Sequence, residues 1–364
     1  MKRYPAFFLY AIAVIVFALT GCVKREYPAD DLYHFETDSQ YQWYRQGNPI
    51  IFACSENGYY FFMDSFLYYC DESTMEPVPL CAKPNCKHNE ETDEAHLALC
   101  NAYFKRVNYY GGQVFWSEGQ VYVYAIADNK ASASLYEVSA DGTSRKEFIT
   151  GLPPHFTMPD CMAVHRGMFY IADTYYDESL IKHDCIKAYS LHGHKGEPQT
   201  IFTNVDEAAT YITNLRVEGN TLSFWELSES SSYVAYQVPL SGGVAEIVPD
   251  NPYESLGLLA TMQSDGKRFY RLKESETSYF SSCFIAYDTD GNLLLLQDFG
   301  TELKGIRGLY VSPRKYAFIV DVSLTGREID GRRETSTAIY YFDLAQVDSG
   351  HILLTKLIEQ FGVD

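Results

Sequence analysis

Three thiols and an imidazole crowd one short stretch, Cys81-Ala-Lys-Pro-Asn-Cys86-Lys-His88 followed by Cys100. Cysteine and histidine are donors that zinc accepts, and three Cys with one His can close a tetrahedral structural Zn2+ site. Cys86 and His88, two positions apart, can converge on one ion, although Cys-x4-Cys-x-His is not a common zinc spacing. A disulfide between two of the three cysteines would staple the same segment in an oxidising compartment. Some staple is required, because the intervening Asn89 to Glu94 is polar and acidic and cannot build an apolar core of its own. Neither option makes the element catalytic, since four protein ligands leave no open position for a substrate.

Other chemistry is sparse. The chain has no Gly-x-Ser-x-Gly elbow, no His-Glu-x-x-His and no phosphate-cradling Gly-Lys-Ser/Thr loop. His183 and Cys185 share one face of a strand, while His192 and His194 sit in the next turn. About six strand residues, or about 20 Å, separate the pairs, so one ion cannot bind all four. Cys54, Cys70, Cys161, Cys185 and Cys283 lie in or beside strand-like runs, where a thiol acts as a small packing group.

The N-terminus supplies a different thiol. Lys2 and Arg3 precede an apolar stretch from Ala6 to Leu19, about 14 residues and shorter than the roughly 20 of a spanning helix. Leu19-Thr20-Gly21-Cys22 then resembles a bacterial lipobox. The resemblance implies a lipoprotein signal peptide over 1–21 and acylation of Cys22. Two or more acyl chains would anchor the mature chain to the extracytoplasmic face of the cell membrane. Residues 22–48, polar and low in aliphatics, are expected to be a lipidated tether. With 48 acidic against 29 basic residues, the chain is an unsuitable ligand for nucleic acid or anionic lipid.

The elements that must position the Cys/His stretch are strands. There are 31 Tyr and 22 Phe against 3 Trp, and aromatic or β-branched runs alternate with Gly, Asn, Asp and Ser. A strand carrying Tyr recurs around Tyr68, Tyr136, Tyr189, Tyr236, Tyr287 and Tyr341. The last four intervals between these tyrosines are 53, 47, 51 and 54 residues. Upstream of each lies a tight turn into a second strand, as at Asn57-Gly58, Arg166-Gly167 and Glu218-Gly219-Asn220. Units of this length and strand count match propeller blades. The expectation is an all-β fold, a β-propeller of six four-stranded blades over 49–360. Seven blades would need strands from the tether or from Ile352 to Val363. The interval from Tyr68 to Tyr136 is 68 residues, about 17 too many, and the surplus coincides with a Cys/His-rich insertion at 81–103, expected at the junction of the first two blades.

The signal, the blade pattern and the Cys-x4-Cys-x-His element followed by Cys100-Asn101-Ala102-Tyr103 resemble one family. It comprises extracytoplasmic lipoproteins of Gram-positive gut bacteria with a propeller domain of unknown function. That domain is named for its likeness to the propellers of low-density-lipoprotein-receptor-related proteins. The resemblance spans roughly Gly47 to Leu357 and implies a six-bladed fold at the cell surface, with no activity attached.

The functional expectation is a non-catalytic, lipid-anchored module that binds an envelope protein, peptide or glycan. Its one cofactor would be the structural Zn2+, with the disulfide as the alternative. A glycan-active hydrolase or lyase with paired carboxylates in the channel is the competing reading, and a structural component of an envelope complex the third. Trp116 and Trp225 are candidate ligand anchors, each expected in the second strand of a blade.

Overall fold

The computed structural model describes residues 26–40, 52–105, 113–127, 131–155, 161–192, 197–204, 209–228, 233–248, 263–265, 267–274, 281–300, 302–303 and 305–363. Cys22 and the apolar leader lie outside them. Among the described residues no helix is long and apolar enough to cross a membrane.

The strands form six antiparallel meanders of four. Blade 1 covers Phe52–Pro79, blade 2 Gln113–Leu152, blade 3 Met162–Thr203, blade 4 Ala209–Ile247, blade 5 Gln263–Asp298 and blade 6 Ile306–Val363. Blades 5 and 6 are joined into one sheet by a single pairing, Ser281 with Ile306. Thr355–Val363 is the fourth strand of blade 6, so the C-terminal residues complete the sixth blade and start no seventh. The first strands of blades 1 and 2, 2 and 3, 3 and 4, and 5 and 6 touch one another, which places first strands innermost around the axis.

Blade 1 shows why these runs become strands. Alternate side chains point to opposite faces, and here both faces are buried. Phe52, Tyr59, Phe61 and Tyr68 enter the core shared with blade 6, whereas Tyr60, Phe62 and Leu67 enter the core shared with blade 2. A strand buried on both sides reads as an unbroken aromatic run, as in Gly58–Met63. The turns between first and second strands use the left-handed region that tight hairpins need, with Glu118-Gly119 at φ 54° and 79° and Arg166-Gly167 at 44° and 69°.

All six repeat tyrosines fall in third strands. Tyr68, Tyr136 and Tyr189 pack toward the preceding blade, as does Tyr236. In blade 6 the phase slips by one: Tyr340 faces blade 5, and Tyr341 faces blade 1. The Tyr340-Tyr341 doublet hides this slip from a count of intervals.

Residues 31–40, expected within the tether, instead pack on the propeller. Asp38 is buried and grips Arg166 of blade 3 through Nε at 2.8 Å and Nη2 at 3.1 Å. The Ser39 N–H donates to His165 Nδ1 at 2.8 Å, which leaves Nε2 to donate to the Gly219 carbonyl at 2.8 Å. Burial pushes His165 down to about 4, outweighing the nearby Asp38 carboxylate. Asp38 is itself raised by burial, but the Arg166 hydrogen bonds and neighbouring donors bring it below the usual range.

His165 is therefore neutral when folded and protonates near pH 6.5 when unfolded. The stability it contributes is present above pH 6.5 and is lost as pH falls toward about 4. Thermal midpoints taken across pH 7 to 4 should fall through this window, and a His165→Asn chain should show a flatter profile there. Asp38 adds its own loss at lower pH still.

Candidate metal centre

The Cys/His stretch sits inside a strand. Pro77–Pro79 pairs with the third strand of blade 1 from Cys70 to Tyr68, and the Leu80 N–H donates to the Leu67 carbonyl at 2.8 Å. A continuous partner would also accept from the Leu67 N–H. That proton goes instead to the carbonyl of Ala102 at 2.8 Å. Phe66 then bridges Tyr103, and the Phe104 N–H reaches Ser65 O at 2.8 Å. One outer strand thus runs through Leu80 and resumes at Ala102, with residues 81–101 looped out of its middle. The expected position between blades 1 and 2 is corrected to the fourth strand of blade 1. The end of the insertion is also woven in, because Ala102 and Phe104 are buried in the two cores flanking the blade.

Local sequence builds the loop. Asn85 and His88 take the left-handed region at φ 60° and 52°, turning the chain sharply before and at a short 3-10 turn, His88–Glu90. Asp93 caps the helical turn Glu94–Leu99, accepting from the N–H groups of Ala95 at 2.9 Å and His96 at 3.0 Å. This helix delivers Cys100 beside Cys81, where the chain leaves the strand. Blade 2 holds the base: the Gly142 carbonyl accepts from Ala82 N–H at 3.0 Å and from Asn101 Nδ2 at 2.9 Å. Arg145 donates to Ala98 O at 2.9 Å and to Tyr103 O.

Cys81, Cys86, His88 and Cys100 converge, with every pair of ligand atoms within 4.8 Å. Cys100 Sγ and His88 Nδ1 are 3.6 Å apart. In a zinc tetrahedron an S–N edge is about 3.5 Å and an S–S edge about 3.8 Å. The donor set and this edge both fit such an ion. Cys81, Cys86 and Cys100 are not joined to one another by a disulfide in this structure. Cys100 is buried and the other three are half-buried. Burial raises the Cys81 thiol, but the backbone N–H groups of Lys83 and Asn101 and the neighbouring thiols outweigh it and bring it below the usual range. Burial, with the adjacent Cys86, pushes Cys100 up to about 12, and burial lowers His88.

The other sequence candidates do not assemble. His183 Nε2 meets Asp177 at 3.2 Å and its ring stacks on Tyr175, while His192 pairs with Glu118 at 3.1 Å. Cys185 is buried, and His194 lies outside the described residues. Trp116 is in a first strand rather than a second, and both Trp116 and Trp225 are buried rather than presented to a ligand. Several buried acids already have partners: Asp184 with Thr174 Oγ1 at 2.7 Å and Lys182 at 3.0 Å, Asp321 with Gly305 N–H at 2.6 Å, Glu334 with Thr325 Oγ1 at 2.6 Å.

Sequence reasoning missed the hairpin tip of blade 3. Met168–Tyr176 and Lys182–Ser190 pair out to Tyr176 opposite Lys182 and leave Tyr175 41%, Tyr176 65% and Leu180 81% exposed. The available signal was Tyr175-Tyr176 at the polar end of a strand, followed by Leu180 inside a turn.

These sheets and their order define a β-propeller. No family model matches the chain, and no curated protein matches it. Among solved structures it is similar to the β-propeller domain of the trilobed protease from Pyrococcus furiosus, which has an open velcro topology. That match has a TM-score of 0.37 and 7% identity, covering 86% of this chain and 98% of that one. A nidogen/laminin complex matches with a TM-score of 0.37 and 13% identity over 68% of this chain and 79% of its own. A prolyl endopeptidase matches with a TM-score of 0.40 and 13% identity; the chain spans 56% of its length.

Gly142 carries a testable constraint. At φ +71° it has room for no side chain, since a Cβ would stand 2.7 Å from Cys81 N and 2.8 Å from Leu80 C. Both are backbone atoms of the split strand. Gly142→Ala should cost on the order of 1–3 kcal/mol. It should also speed labelling of Cys81 by a thiol reagent, read by peptide mass spectrometry against the wild-type chain.

Proposed function

We propose that this chain is a lipid-anchored extracytoplasmic propeller that binds a polypeptide partner, with a structural zinc ion held by Cys81, Cys86, His88 and Cys100. Anchoring rests on the lipobox-like Leu19-Thr20-Gly21-Cys22. The zinc assignment rests on the convergence of four suitable donors at the base of a polar loop. Bound there, zinc would fix the exit and re-entry of the split strand, and four protein ligands would leave it no catalytic position.

The observation that carries the binding reading is the tip of the blade 3 hairpin. Asp177 fixes its turn by accepting from Ser179 N–H at 2.8 Å and Ile181 N–H at 2.9 Å. Tyr175, Tyr176 and Leu180 are thus displayed on an ordered turn. Large side chains carried on a backbone already fixed before binding leave less chain to be ordered on contact, which suits interface anchors. The aliphatic Leu180 suits a polypeptide better than a sugar.

Two measurements test the reading. The purified mature protein should contain close to one zinc per chain by elemental analysis, and Cys100→Ser should lose it; metal-free wild-type protein with a full complement of reactive thiols would remove the ion from the proposal. Separately, a soluble Cys22→Ser form should retain a protease-sensitive component from an envelope extract. The same form carrying Tyr175→Ala, Tyr176→Ala and Leu180→Ala should not. Equal retention by both would exclude the hairpin, and sensitivity to glycosidase alone would make the ligand a glycan.

A further inference from the structure

The first and last blades share no strand among the described residues: blade 1 and blade 6 are separate sheets, each built from consecutive strands. Most of their contact is side chain on side chain. The segment 31–40 lies over this ring in a way that addresses that seam.

Its contacts fall on the ends of first strands and the turns that follow them. The Asn220 N–H of blade 4 donates to Asp31 at 3.1 Å, and Gly219 is so close that a Cβ would lie 2.5 Å from Asp31 Cα. Arg166 of blade 3 donates to the carbonyls of Leu32, at 3.2 Å, and Thr37. The Glu118 N–H of blade 2 reaches Glu36 O at 3.1 Å. Arg314 of blade 6 lies over the Phe35 ring at 5.9 Å. Blades 3 and 6 are opposite each other in a ring of six. Residues 35 and 37 can be only about 7 Å apart, so a chain touching both opposite blades within that reach lies over the hub.

Gln40 then ties the seam itself. Its Oε1 accepts from the Cys54 N–H of blade 1 at 2.8 Å, and its Nε2 donates to the Cys54 carbonyl. One side-chain amide thereby meets both backbone groups of a strand residue, as a neighbouring strand would. The same Oε1 accepts from Tyr310 Oη of blade 6 at 3.3 Å.

We propose that residues 31–40 are a clasp: they cross the propeller axis, cover that mouth of the channel and hold blade 1 to blade 6 in place of a shared strand. The blade 3 hairpin tip lies between second and third strands, at the opposite end of the sheets. A ligand would meet the ring from that end, but the clasp stands without any ligand.

The test is labelling of buried thiols in the full-length chain under native conditions, resolved by peptide mass spectrometry. Cys54 lies in the blade 1/6 core beneath Gln40. Cys185, buried in the third strand of blade 3, is the internal reference. Gln40→Ala and Asp38→Asn should each raise the rate at Cys54 by roughly tenfold or more and leave Cys185 at its wild-type rate. An unchanged rate at Cys54 in folded variants would make the segment a passive covering and overturn the proposal. Equal acceleration at both cysteines would do the same, by showing general loosening. Gln40→Ala removes no buried charge, so it carries the test alone if Asp38→Asn fails to fold.

Discussion

Phe52 stands where the last blade packs against the first. It stacks on Phe61 of its own blade at 5.0 Å and on Tyr310 and Phe318 of blade 6 at 5.1 and 4.7 Å. A blade is apolar on both faces, so it is stable only with a neighbour on each side. Successive blades acquire neighbours in order along the chain, but the last face of blade 6 and the first of blade 1 must find each other. An aromatic pair adds about 0.5–1.5 kcal/mol beyond the area it buries. At the rim Arg314 pairs with Glu72 at 3.1 Å and donates to Ser55 O at 3.2 Å, and Gln360 bonds the Tyr68 hydroxyl at 3.2 Å. These polar contacts fix the register of a seam whose adhesion is mainly aromatic.

The same reasoning explains where a metal would matter. Looping residues 81–101 out of an outer strand breaks a ladder that also covers two interblade cores through Ala102 and Phe104. Leu67 bonds Leu80 with its carbonyl and Ala102 with its N–H. Unless the two halves are held together, one hydrogen-bonding position is lost and Phe104 is free to leave its core. Cys81 and Cys100 bracket that break, and an ion shared with Cys86 and His88 would make binding free energy serve directly as folding free energy. The site then belongs to the seam side of the molecule in an energetic sense, because the core behind Cys100 is the one that closes the ring.

Much of this was legible in the residues. The third-strand tyrosines gave the number of blades, and the Gly and Asn turns gave the hairpins, because strand and turn preferences are local. Legibility failed where two readings had the same local pattern. Tyr340-Tyr341 offers a tyrosine to either face, and only packing shows which one meets blade 5. Trp116 lies in a first strand and not a second, since a degenerate repeat does not mark where each blade begins. The Cys/His surplus was visible as a length, but not as an excursion within a strand, because the bond from Leu67 to Ala102 has no sequence signature.

The sequence by itself determined the class of fold, the blade period and the grouping of Cys81, Cys86, His88 and Cys100 near one another. Each follows from propensities and spacings that act over a few tens of residues. Only the tertiary structure decided that residues 31–40 are docked rather than free, through contacts such as Asp38 with Arg166 and Gln40 with Tyr310. It alone decided how the ring is sealed and which aromatic residues remain exposed. A polar stretch with few aliphatics reads the same whether it is solvated or pinned by a buried ion pair. The partner that distinguishes the two cases lies more than a hundred residues away, and its position is set by the folding of every blade between.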